Sequence, residues 1–282
     1  MVEKGASAPR QTTAEILVVG NELLNGTTLD TNSHWLCKRL DGLGVMVRRK
    51  TTVRDEVAVI AKSFRDCISR RPDWVISVGG LGPTFDDMTI EGLSFALRRR
   101  LVLDSVAQSM LKASYARRAR FLGTMPRRIS KSSLKMAQIP DGSRPLANPV
   151  GSAPAVLAKS GETKIVSLPG VPSEMKAIFD QEILPIFKKT VNYSISEEWL
   201  RVVGISESRL APKINRIADH YSPLVYIKSH PKGFAHGKSV LNIQLRSAGV
   251  KKDAGNTEKV LKKASSEVII AAKKLGADVK RI

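Results

Sequence analysis

A mostly parallel α/β fold is predicted for residues 14–190, followed by a small α+β domain at 197–282. Three observations carry this. Short β-branched apolar runs alternate with amphipathic stretches, and strand–helix–strand spacing of that kind means right-handed βαβ units. The runs end in loops rich in glycine, asparagine or acids, at the strand ends where such sheets hold their sites. Past a polar, linker-like stretch at 190–196, Leu241, Ile243 and Leu245 alternate with Asn242, Gln244 and Arg246, the mark of a half-buried strand.

Residues 15–20 (EILVVG) read as a buried strand ending in glycine. A loop at 21–31 leads to a helix over 32–40, which Asp41-Gly42-Leu43-Gly44 ends. A strand at 45–53 follows. Asp55 suits the cap of a helix at 56–70, with Val57, Ile60, Ala61, Phe64 and Ile68 on one face. Trp74 to Val78 is a strand, the segment from Gly79 to Asp87 a glycine-rich turn, and 89–97 a helix. Helical, basic sequence fills 104–137. A proline-rich loop at 148–155 precedes a strand at 164–168, then Pro169-Gly170-Val171-Pro172 and a helix to about Phe187. Pro172 suits a first helical turn. The second domain reads as strand 200–203, helix 206–219, strands 224–228 and 239–246, and helix 254–275.

The chain has 282 residues, 46 Lys and Arg against 26 Asp and Glu, and a net charge of +20. That balance favours polyanions: nucleotides, phosphorylated substrates or nucleic acid. The bases are scattered, as at Arg98-Arg99-Arg100, Arg117-Arg118 and Lys251-Lys252. Aromatics are only 5%, which counts against a stacking platform for single strands. No apolar run is long enough to span a membrane, so no membrane partner is expected. Residues 1–13 are polar, unlike a secretory signal, and read as a disordered tail. Cys37 and Cys67 lie on amphipathic helices without metal-ligand spacing, which suits buried free thiols in a reducing cytoplasm. The four histidines form no ligand spacing, and His230 and His236 are expected to be solvent-exposed beside a hairpin loop.

Gly79-Gly80-Leu81-Gly82-Pro83-Thr84-Phe85-Asp86-Asp87 is the most informative stretch. A glycine turn between strand and helix frees backbone N–H groups and lets a phosphate approach the main chain. Asp86 and Asp87 can hold a hard divalent cation or orient a water. Tight-turn geometry and helix capping explain the same residues without any ligand.

Several loops together resemble the CinA-type (competence/damage-inducible) family, in its N-terminal molybdopterin-binding-like domain. They are Gly20-Asn21-Glu22-Leu23-Leu24, Asp30-Thr31-Asn32-Ser33, Gly79 to Thr84, Asp86-Asp87, Asn148 to Pro154 and Pro169 to Met175, in family order across 14–190. Residues 197–282 resemble the family's small KH-like domain. The amidase domain of longer members has no counterpart, as in short archaeal-type forms.

The resemblance implies a three-layer α/β/α domain and a divalent-metal-dependent ADP-ribose pyrophosphatase, releasing AMP and ribose 5-phosphate. It also implies kinship with molybdopterin adenylyltransferases, so pterin-phosphate binding or adenylyl transfer in molybdenum cofactor metabolism stands as the alternative. A non-enzymatic nucleic-acid-associated protein is a second alternative. On this likeness Asp87 and Asp55 are catalytic. Asp87, Asp86, Asp55 and Glu22 would hold Mg²⁺, Mn²⁺ or Co²⁺. Gly79, Gly80, Gly82, Thr84, Asn32, Ser152, Gly170, Ser173 and Glu174 would bind the phosphate or substrate. A homo-oligomer is expected on the same ground. The chain departs from the pattern in three places: Asn21 replaces a frequent Asp, Ala155 a frequent Gly, and Val203-Gly204-Ile205-Ser206 lacks a Gly-x-x-Gly clamp.

Overall fold

The computed structural model describes residues 10–125 and 128–282. They form two compact units, one of residues 12–41 and 45–191, the other of 10–11, 42–44 and 192–282. The expected disordered tail lies outside the described residues up to residue 9. Its last residue, Thr13, instead opens the first strand, where its backbone N–H donates to Asp73 Oδ2 at 2.8 Å.

The first unit runs β1 (Thr13–Val19), α1 (Asn21–Leu24), α2 (Thr31–Gly42), β2 (Met46–Val53), α3 (Val57–Ser69), β3 (Trp74–Val78) and α4 (Thr89–Leu97). It continues with β4 (Leu101–Leu103), α5 (Ser105–Phe121), α6 (Lys131–Leu134), β5 (Gln138–Pro140), β6 (Arg144–Leu146), β7 (Ala155–Ser160), β8 (Thr163–Leu168), α7 (Pro172–Ile178) and α8 (Leu184–Thr190). The main sheet has the order β2-β1-β3-β8-β7-β6. Its first four strands are parallel, while β7 and β6 pair antiparallel at one edge.

Every residue of β1 and β3 is buried, as a parallel sheet covered on both faces requires. On one face Leu17, Val19, Val75 and Ile165 pack with Ile60 and Phe64 of α3 and Leu93 of α4. On the other, the Trp74 ring meets Phe187 of α8 at 4.6 Å between centroids, and Trp35 of α2 meets Phe179 edge-on at 5.4 Å. The result is the expected three-layer arrangement.

Differences from the sequence reading fall at the loops. The stretch 21–31 contains the single turn of α1. Asp55 does not cap α3: that helix starts at Val57 with Glu56 in the cap position, and the Asp55 carboxylate instead accepts from Asn21 N–H at 2.7 Å. The helical span expected at 104–137 is broken into α5 and α6, and its residues 126–127 lie outside the described set. Asp104 caps α5 by accepting from Ala107 N–H at 2.7 Å. The strands β4, β5 and β6 were not foreseen, because three residues carry too little periodicity to read, and the six-residue β7 was missed as well. Cys67 is buried, and desolvation with the neighbouring Glu15 carboxylate pushes its thiol up to about 12. Cys37 is only half-buried.

The second unit runs β9 (Tyr193–Val203), α9 (Glu207–Tyr221), β10 (Val225–Ala235), β11 (Lys238–Val250), α10 (Ala254–Lys274) and β12 (Asp278–Arg281). Its sheet has the order β10-β11-β9-β12 and is antiparallel throughout. Leu200, Val202, Leu241, Ile243 and Leu245 form a core with Leu210 and Ile214 of α9 and Leu261 and Val268 of α10. β9 begins inside the stretch expected to be a linker, and β12 was missed. His236 is exposed in the hairpin turn, but His230 is half-buried in β10, its ring 5.2 Å from Trp199.

Candidate active site

The carboxyl ends of β1, β2, β3 and β8 open into one cleft of about 880 Å³. The turn after β3 forms its floor. Gly79 has φ +103, and a Cβ there would run into the Val19 carbonyl oxygen. Gly80 has φ +66 and lies against Thr89. A Cβ on Gly82 would stand 2.5 Å from Asp87 Oδ2. Gly79 and Gly80 are therefore glycine for backbone reasons, and all three leave the backbone bare on the cleft side.

Thr89 anchors this turn from the start of α4. Its buried hydroxyl donates to Gly79 O at 2.7 Å, and its N–H donates to Gly80 O at 3.1 Å. Gly79 N–H donates to Leu168 O at 3.0 Å, which tacks the turn to the end of β8. That bond removes Gly79 N–H as a phosphate donor. Among the described residues the N–H groups of Gly80 and Gly82 remain for a ligand.

Thr84 organises the acids. Its hydroxyl donates to Asp86 at 2.6 Å and also bonds Asp87, while its N–H donates to Asp87 Oδ2 at 2.8 Å. Lys135 donates to Thr84 O at 2.9 Å. The Thr84 hydroxyl, then the Asp86 backbone and the Lys135 charge, hold the Asp86 carboxyl below its ordinary range. Asp86 is thus an anion across the physiological pH range.

A second brace closes the far wall. Asn148 accepts from Val150 N–H and Gly151 N–H, and its amide donates to Ala153 O and to Glu174 Oε2 at 2.6 Å. Arg117 of α5 donates to Asn148 O and Gly151 O. The Glu174 carboxylate lies against Gly151, and a side chain there would have to displace it from Asn148.

Of the expected residues, Glu22, Asp55, Gly79, Gly80, Gly82, Thr84, Asp86, Asp87, Ser152, Gly170 and Glu174 line the cleft. Two do not. Ser173 is exposed outside it, since Pro172 starts α7 and turns the next side chain to solvent. Asn32 instead donates to Gly170 O at 2.6 Å and positions that loop. The expected metal set does not converge either. Among the described residues no three His, Cys, Asp or Glu side chains are placed to hold an ion. Asp55 is engaged by Asn21 N–H, Asp86 and Asp87 share Thr84, and Glu22 lies over Gly20.

The sequence reading missed one wall. Tyr115, Arg117, Arg118 and Phe121 of α5 line the cleft. Arg117-Arg118 was visible as a basic pair, but nothing local to a helix tells which distant loop it faces. No helix among the described residues is long and apolar enough to cross a membrane.

Comparison with known proteins places this geometry. Residues 15–189 match the family model described as a probable molybdopterin binding domain. A protein of Caldivirga maquilingensis is 43% identical over 236 residues, covering 84% of this chain and 88% of its own. One of Aeropyrum pernix is 39% identical over 267 residues, covering 94% and 96%. The solved structure of the protein CinA, of unknown function, from Thermoplasma acidophilum is 38% identical with a TM-score of 0.55, covering 63% of this chain and 98% of its own. The glycine turn, its acids and the cleft they line all fall inside the matched segment, and the chain belongs to the molybdopterin-binding-domain family, CinA-like over that domain.

Proposed function

We propose that the cleft binds the phosphate of a pterin, molybdopterin or its adenylylated anhydride, in molybdenum cofactor metabolism. The observation that supports it is the Gly79–Asp87 turn: bare glycine backbone and two acids on the floor of a cleft within the molybdopterin-binding segment. Its volume suits a ligand of nucleotide or pterin size. Gly80 and Gly82 N–H take a phosphate oxygen, and Arg118 on α5 offsets its charge. Tyr115 and Phe121 give a planar ring an aromatic surface. Among the described residues the acids are not grouped as a metal site of their own. They suit a divalent cation that arrives on the ligand's phosphates, which needs only one or two protein carboxylates.

Hydrolysis of ADP-ribose is the second reading. ADP-ribose and adenylylated molybdopterin both join AMP to a second phosphate through an anhydride, and the residues of the turn address that anhydride rather than the group beyond it. Here Asp87 would position or deprotonate the attacking water, with AMP and ribose 5-phosphate as products.

The test supplies molybdopterin with Mg²⁺-ATP in one arm and ADP-ribose with Mg²⁺, Mn²⁺ or Co²⁺ in another, for wild type and Asp87→Ala. Pterin retained on the protein, or adenylylated, in a manner lost in the variant supports the first reading. Metal-dependent AMP release from ADP-ribose, also lost in the variant, moves the assignment to the second. Inertness of folded protein in both arms overturns both.

A further inference from the structure

The second unit has a face that the cleft chemistry does not use. Among the described residues of this unit, α9 and α10 both pack on the side of the sheet carrying Leu200, Ile243 and Leu245. Strand residues alternate between faces, so the cross-strand register states what the other side holds. Tyr226 pairs with Arg246, and Arg246 with Glu197. Lys228 pairs with Gln244, and Gln244 with Trp199. His230 pairs with Asn242, Asn242 with Arg201, and Arg201 with Lys280.

These three rows hold three ring side chains and four bases against a single acid. None of the three rings belongs to the hydrophobic core on the opposite face. Tyr226 is 57% exposed. Trp199 and His230 lie together, 5.2 Å between centroids, and Gln244 reaches His230 Nε2 at 3.3 Å. Arg201 and Lys280, both exposed, stand directly opposite each other on neighbouring strands. Like charges so placed destabilise a sheet. A bound polyanion relieves that repulsion.

We propose that this open sheet face binds single-stranded nucleic acid. Bases stack on Trp199, Tyr226 and His230, while Arg201, Lys228 and Lys280 neutralise phosphates. Aromatic rings on a sheet read unstacked bases, and flanking cations supply salt-sensitive affinity. This mode needs no Gly-x-x-Gly clamp, so the single glycine at Gly204 is no obstacle. Low overall aromatic content is no obstacle either, because three rings fall on one face. A duplex, whose bases are already stacked, gains only the electrostatic part.

The experiment measures fluorescence anisotropy of short labelled oligouridylate and oligothymidylate on the full chain, with unlabelled single strand and duplex as competitors. Single strand of either sugar should bind and should outcompete duplex by about tenfold or more. Arg201→Glu with Lys228→Glu should weaken binding at least tenfold and flatten the salt dependence by about one unit per lost contact. Trp199→Ala should weaken it by about tenfold. Circular dichroism confirms that each variant is folded. No binding at low salt, equal competition by duplex, or a folded charge-reversal variant that binds as wild type does would each overturn the proposal. So would sedimentation showing that the same substitutions dissociate a dimer, because the face would then belong to a second copy of the chain.

Discussion

Gly79 shows how much a single residue decides. Its φ of +103 and its contact with the Val19 carbonyl admit no side chain, and its own carbonyl accepts the Thr89 hydroxyl. Gly79→Ala therefore combines a disfavoured backbone conformation with a backbone clash, and should destabilise the protein by roughly 2–4 kcal/mol. Urea unfolding monitored by tryptophan fluorescence measures this, and a loss under half of the lower bound would contradict the geometry. Asp87 is different. It is half-exposed and, among the described residues, its carboxylate bonds to Thr84 of its own turn, so its removal should touch ligand binding far more than stability. Asp55 accepts from Asn21 N–H and so ties the loop after β2 to the one after β1.

Among the elements, α2 carries the clearest terminal device. Asp30 accepts from Ser33 N–H at 2.9 Å and from the Ser33 hydroxyl, with Lys50 Nζ at 3.4 Å. Burial raises the Asp30 pKa, but the Ser33 bonds and the Lys50 charge outweigh it, and the net shift is downward. A depressed folded pKa means the contribution is complete above the unfolded value of about 3.9 and is lost as pH falls through the folded one. Asp30→Ala should cost about 1 kcal/mol at neutral pH. The difference between variant and wild type should shrink on acidification below that value. Thermal melts across the pH range check both parts, and a gap that stays constant into strong acid would show that the carboxylate charge is not what holds the cap.

At the scale of the whole molecule, each unit encloses its own hydrophobic core. Ile243 is fully buried in the second. Ile243→Ala should destabilise that unit by about 2–5 kcal/mol through lost burial and a residual cavity. Ligand retention in the cleft, which draws on residues of the first unit alone, should be unchanged at temperatures where the variant is folded. Calorimetry with a parallel binding assay tests this, and loss of both together would show that the cleft depends on the second core. The net charge of +20 also gains a location at this scale. One sheet face of the second unit holds four bases against a single acid, whereas the cleft lining is acidic, with Glu22, Asp55, Asp86, Asp87 and Glu174 against Arg117 and Arg118.

The sequence by itself determined the central βαβ order. Trp74–Val78 and Thr89–Leu97 match their elements to the residue, because an apolar, β-branched strand and a well-bounded helix announce themselves through local periodicity. Most of the cleft was legible too, since its floor is a contiguous glycine–acid turn whose chemistry is written in neighbouring residues. Asp55 as a tether, Asn32 as a brace, the α5 wall and, among the described residues, the separation of the expected metal ligands were decided only by tertiary structure. So was the grouping of Trp199, Tyr226 and His230, which are spread over two strands but meet on one face. The reason is the same in each case: these contacts join residues far apart in the chain, and the register between strands and the packing of a helix over a loop are set by the whole core rather than by any window of sequence.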